Sequence, residues 1–103
     1  MPKLIFCTTS DIKESRKISK ELLNKKLVAC VNILPSIESM YRWKGKIESD
    51  EESVLFIKTV DHRVKDTIDH IKKIHSYDVP EIIVIDLVDG LPDYFDFLQK
   101  ETL

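Results

Sequence analysis

Glycine is almost missing from this chain: Gly45 and Gly90 are the only two in 103 residues. That excludes the glycine-rich cradles that wrap phosphates in nucleotide sites, and the anion loop an acylphosphatase-like enzyme would need. Cysteine is as scarce. Cys7 and Cys30 are too few for a disulfide scaffold and form no C-x-x-C zinc pair. Both lie in apolar runs and read as buried, reduced thiols. A basic excess is missing too. The net charge of −2 argues against a general nucleic-acid binder, while leaving room for a local basic patch. No long apolar run occurs, and the N-terminal LIFC is far too short for a signal peptide or a membrane span. The expectation is a cytoplasmic protein with neither nucleic acid nor membrane as a partner. No repeat, linker or low-complexity segment breaks the chain.

What is present fits one globular domain over residues 1–103, with 43% hydrophobic and 33% charged residues. A domain of this length buries roughly 65% of the surface its unfolded chain exposes, enough for a core without disulfides or a structural metal. Lys3 to Thr9 reads as a strand that stops at a helix cap, Ser10 or Asp11, with Glu14 at capping-box spacing from Asp11. Ile12, Ile18, Leu22 and Leu23 mark one face of a helix running towards Lys26, with no glycine to stop it. Asp61 reads as the cap of a second helix, in which Val64, Ile68, Ile71 and Ile74 recur at helical spacing. A loop from His75 to Glu81 leads to a strand over Ile82 to Val88. Pro92 then opens a last helix, with Tyr94, Phe95 and Leu98 inward.

The stretch from Val28 to Val60 dominates the rest. Leu27–Leu34 and Val54–Val60 are apolar on both alternating faces, which predicts strands covered on both sides. Pro35 marks a bulge, a bend or an edge, and Lys44-Gly45-Lys46 is the turn. A hairpin of this length overhangs any compact body. The element order β-α-β-β-α-β, plus a C-terminal helix, is the ferredoxin-like α+β arrangement with a long hairpin between its second and third strands. Strands apolar on both faces would leave a monomer with a large apolar surface, which marks self-association. Tyr41 and Trp43, with Arg42 between them, read as oligomer contacts on the hairpin.

Candidate chemistry gathers around the second helix and its loop. Asp66 and His70 are spaced i, i+4, the spacing of two neighbouring ligands, but a helix this rich in Asp, Lys and His is ordinarily a solvated face. His75 opens a loop with Tyr77, Asp78 and Glu81. Imidazole, carboxylates and a thiol are donor types for a borderline or soft divalent metal, and the plainer role for His75 is a helix C-cap. The fold brings Cys7, near the end of the first strand, towards that loop. Lys58 interrupts an apolar strand, and it either pairs with a carboxylate (Glu51, Glu52, Asp78 or Glu81) or reaches to the surface. No nucleophile elbow or other catalytic signature is present.

The segments Leu27 to Asn32 (LVACVN), Tyr41 to Ile47 (YRWKGKI), Ile57-Lys58-Thr59, His75 to Ile83, and Tyr94 together resemble the CutA, or divalent-cation tolerance, family. They span nearly the whole chain in the family's order. The resemblance implies a ferredoxin-like protomer in a tight homotrimer, with the hairpin reaching over a neighbour and edge strands joined between protomers, similar to PII signalling proteins. It implies tolerance to copper and other divalent cations, copper binding, and no catalytic activity. By position, Cys7 and His75 match the family's proposed copper ligands. Ile74 stands where some members carry a second histidine, Ser76 where proline is usual, Asp78 where glutamate is usual and Phe97 at a frequent tryptophan. The resulting expectation is a homotrimer that binds copper or another divalent cation in a cleft of Cys7, His75, Tyr77, Asp78 and Glu81, with Lys58 in reach. The alternative is a PII-like trimeric module that binds a small anion through Lys58 and Arg42.

Overall fold

A computed structural model describes residues 1–103. Strand β1 (Pro2–Thr9) leads through helix α1 (Ile12–Asn24) to the hairpin of β2 (Cys30–Trp43) and β3 (Lys46–Val60). Helix α2 (Asp61–Ile74), strand β4 (Ile82–Asp86) and helix α3 (Pro92–Glu101) follow. The four strands form one sheet in the order β2-β3-β1-β4, antiparallel throughout. This is the expected ferredoxin-like α+β topology.

Alternation along the strands decides which side chains form the core. Ile5 lies opposite Ile57 and Cys7 opposite Leu55, so these four share one face of the sheet. Ile18 and Leu22 of α1 and Ile71 of α2 close over that face, joined by Leu27 and Val28. Each such side chain contributes about 1.5–3 kcal/mol by leaving water. The opposite face carries Phe6 against Phe56, edge to face with ring centres 5.7 Å apart. It also carries Leu34 opposite Val54, with Ile83 and Ile85 on β4 opposite Phe6 and Leu4. Helix α3 lies against β1 and β3.

The helix boundaries follow backbone chemistry that the side-chain pattern conceals. Asp11 caps α1 by accepting the Glu14 N–H at 2.9 Å. The helix ends at Asn24, before the expected Lys26, because Lys26 takes a left-handed φ of 57°. The Lys26 N–H then reaches Leu23 O at 3.0 Å and the Leu27 N–H reaches Leu22 O at 3.1 Å, a Schellman closure made without glycine. Asp61 is not the cap of α2. Val60 holds that position with no side-chain bond, and Asp61 is the first helical residue, paired with Lys3 (3.1 Å) and the terminal amine (3.4 Å).

Three strand expectations change as well. Leu27 and Val28 are core residues outside the ladder, and β2 begins at Cys30. Strand β2 is not covered on both faces in the protomer: none of its residues is buried, and it also lies at an edge of the sheet. Strand β4 stops at Asp86 rather than Val88, because its partner β1 has run out: Lys3 faces Asp86, and the Leu87 N–H makes the last bond, to Pro2 O. In α3, Leu98 is buried but Tyr94 is 36% exposed and only rims the packing.

Of the bulge, bend or edge that Pro35 was expected to mark, the hairpin has a bulge. Leu34 faces Val54 and Ile37 faces Glu52, so β2 has one residue more than β3 around Pro35. Beyond it, Ile37, Ser39, Tyr41 and Trp43 continue the face that Cys30, Asn32 and Leu34 began. The turn is a two-residue loop, Lys44-Gly45, with both φ values positive (50° and 81°), the type I′ geometry that matches strand twist.

Candidate functional site

The end of β1 and the loop after α2 meet at one backbone carbonyl, that of Thr8. The Cys7 thiol donates to Thr8 O at 3.6 Å, and His75 Nε2 lies 2.8 Å from the same oxygen. A carbonyl only accepts, so Nε2 carries the imidazole proton. Nδ1 is left to accept the Tyr77 N–H at 3.0 Å. The His75 side chain is fully covered and both its nitrogens are engaged within the protein. Cys7 is also fully buried. Burial, with smaller contributions from Glu14, Glu81 and Glu52, pushes its thiol up to about 12.

Glu14 clamps the loop. Its Oε1 accepts the Ser10 N–H (2.9 Å) and hydroxyl (2.8 Å) and the Ser76 hydroxyl (2.9 Å). Its Oε2 accepts the Ser76 N–H at 2.7 Å and lies 3.7 Å from His75 Nδ1. Burial would push this carboxyl up, but the four hydrogen bonds outweigh it and hold the group at about 2. Tyr77 ties the loop to the hairpin: its ring lies 4.8 Å from that of His75 and its hydroxyl donates to Glu52 at 2.7 Å. Burial and then Glu52 raise this phenol well above its ordinary range.

Beyond the loop opens a cleft of about 730 Å³, walled by the hairpin on one side and the loop on the other. Thr8, Tyr77, Asp78 and Glu81 line it from the body, and Tyr41, Trp43, Asp50 and Glu52 from the hairpin. Tyr41 donates to Asp50, and that bond, with some burial, raises its phenol to about 12. The lining carries four carboxylates and no cationic side chain. Such a surface attracts cations and repels anions.

Most of the sequence-predicted residues converge. Cys7 and His75 meet at Thr8 O, while Tyr77, Asp78 and Glu81 line the adjoining cleft. Tyr41 and Trp43 stand on the cleft wall, 41% and 56% exposed. Lys58 lies apart: it finds no carboxylate, and its Nζ lies 3.8 Å from Cys30 Sγ. Its place near the C-terminal end of β3, opposite Cys30 and Leu4, keeps it away from the loop. His70 pairs with Glu21 of α1, at 3.1 Å, rather than with Asp66. No three side chains from His, Cys, Asp and Glu surround a common point in the protomer. Sequence reasoning passed over Glu14 as a loop clamp and Asp50 as part of the cleft. The capping-box spacing pointed to Glu14, but only as a local device.

Comparison with known proteins gives a consistent result. The family model described as CutA1 divalent ion tolerance protein matches residues 3–101. The chain is 35% identical over 102 residues to the divalent-cation tolerance protein CutA of Thermus thermophilus, covering 99% of each. It is 38% identical over 100 residues to that of Archaeoglobus fulgidus, covering 97% of each. It is 36% identical over 99 residues to the chloroplastic CutA of Arabidopsis thaliana, covering 96% of this chain but 54% of that protein. Among solved structures, the periplasmic divalent cation tolerance protein CutA from A. fulgidus superposes with a TM-score of 0.97 at 36% identity, covering 100% of both chains. CutA1 from Oryza sativa does so with 0.96 at 34% identity, covering 99% of this chain and 94% of that one.

Proposed function

We propose, because the chain belongs to the CutA1 divalent ion tolerance family, that it acts in tolerance to divalent metal ions as a non-catalytic, homotrimeric binder of copper or another divalent cation. The observation that carries this reading is the convergence of Cys7 and His75 on Thr8 O beside a cleft lined by carboxylates. Thiolate and imidazole suit copper by donor type, and the carboxylates raise the local cation concentration. Coordination must displace either the Tyr77 N–H or the Thr8 carbonyl from His75, and must remove the proton of a thiol held at about 12. Binding is therefore modest, and it strengthens as pH rises. The proposal includes a cytoplasmic location, which cell fractionation checks directly.

The test is copper titration of the full chain and of the Cys7→Ser/His75→Gln variant, at acidic and at mildly alkaline pH. The wild type is expected to bind more tightly, with affinity rising with pH. Equal affinity in the two proteins would remove both ligands from the proposal. The small-anion alternative lacks support in the protomer: Lys58 lies outside the cleft, and Arg42 faces Ile47 near the hairpin tip.

A further inference from the structure

The solvent face of α1 carries charge of one sign. Lys13, Arg16, Lys17 and Lys20 are all exposed there, and none belongs to an ion pair. They stand three and four residues apart, so Lys13 and Lys20 each neighbour both Arg16 and Lys17. Like charges at these spacings destabilise a helix. Lys13, Arg16 and Lys17 also occupy the N-terminal half, where the helix dipole disfavours cations, and the last turn holds no basic residue. The helix's own carboxylates give no relief. Glu14 is engaged by Ser10 and Ser76, and Glu21 by His70. Helix α2 is the contrast: its exposed charges mix in sign, and Lys65 pairs with Asp69 at 2.9 Å. The chain's net charge is −2, so the α1 face reflects segregation of charge rather than an excess.

We propose that this face of α1 is a docking surface for an acidic segment of a partner protein. The cationic stripe runs about 10 Å along the helix axis, at ~1.5 Å per residue. That suits a short run of carboxylates and is brief for the track of a nucleic acid. No aromatic side chain stands among the four cations to stack a base, and Leu23, 41% exposed, is the one exposed apolar side chain of α1, too little to anchor in a bilayer. The acidic cleft and the negative net charge oppose an extended polyanion. A short segment feels only the local field, within a screening length of about 8 Å.

The experiment is fluorescence anisotropy of a labelled oligoglutamate peptide against the full chain, at about 50 and about 200 mM salt. Labelled duplex DNA and phosphatidylserine vesicles are run in parallel. Oligoglutamate is expected to bind, and to weaken roughly tenfold between the two salts. Arg16→Glu converts the repulsions with Lys13 and Lys20 into attractions, so it keeps the thermal midpoint while weakening binding about tenfold. Lys100→Glu, an equal charge change on α3, leaves binding unchanged. K13Q/R16Q/K17Q/K20Q abolishes it and serves should Arg16→Glu fold poorly. No peptide binding, equal loss in Lys100→Glu, or tighter binding of DNA or vesicles at the same salt overturns the proposal.

Discussion

Glu14 connects two parts of the chain that the sequence keeps 62 residues apart, and its chemistry is readable in acid. Its carboxyl is held at about 2, against an ordinary value of 4.5, by the Ser10 and Ser76 donors acting against burial. A depressed carboxyl contributes stability that is complete above the unfolded value and is lost as pH falls through the folded one. The stabilisation is therefore present at neutral pH and fades between 4.5 and about 2. Glu14→Gln keeps the shape and removes the charge that four donors address. Hydrogen bonds to charged groups contribute about 1.5–3 kcal/mol each, and an amide retains part of that, so a loss near 2 kcal/mol is expected at neutral pH. Urea unfolding of both proteins across this pH range checks it: the gap should close as pH falls, and a constant gap would mean the charge is not what holds the loop. Residue types alone made His75, Tyr77, Asp78 and Glu81 visible as a group, because they adjoin in sequence. The role of Glu14 stayed hidden, because its partner Ser76 becomes a neighbour only once α2 lies antiparallel to α1.

The hairpin depends on a buried hydroxyl chain at its root. Thr9 Oγ1 lies 2.7 Å from Ser15 Oγ, Ser15 donates to Ser53 Oγ at 2.9 Å, and Ser53 donates to Leu34 O at 3.1 Å. Thr9, Ser15 and Ser53 are each fully buried. The chain thus links β1, α1 and β3 to the last residue before the bulge, fixing where β2 gains its extra residue. Ser53→Ala strips the Leu34 carbonyl of this donor and Ser15 of its acceptor. Leaving buried polar groups unpaired costs about 1–3 kcal/mol. The denaturation midpoint should fall accordingly, and amide exchange should quicken first around Leu34–Ile37; an unchanged midpoint would show that the bulge needs no such support. The existence of each element was legible because periods of two and of 3.6 are local properties. The boundaries that moved were set by other parts of the molecule. Lys26 closes α1 in a conformation glycine normally takes, Asp61 was drawn to Lys3 and the N-terminus, and β4 ended opposite the start of β1.

As a whole, the protomer has two unlike sides. Helices α1 and α2 cover one face of the sheet. On the other, Leu34, Ile83 and Ile85 are 45%, 48% and 45% exposed, beside the Phe6–Phe56 pair. The hairpin extends the molecule to 44 Å along its long axis, against 26 and 22 Å across. The apolar alternation on both faces of these strands was visible in sequence, but which face lacks a cover became clear only once α1, α2 and α3 were placed. Covering a half-exposed isoleucine contributes roughly 1 kcal/mol, so three copies that share this face gain several such terms each. The proposed trimer draws on that surface, whereas the cationic face of α1 belongs to the other side and stays available in it. Ile83→Lys/Ile85→Lys places two ammonium groups on the open face and leaves the core between sheet and helices untouched. At micromolar concentration the wild type should sediment at three times the chain mass. The variant should sediment at one chain mass with its circular dichroism preserved. A wild type that sediments as a single chain would refute the trimer, and a variant that remains trimeric would place the interface elsewhere, on the hairpin or the β4 edge.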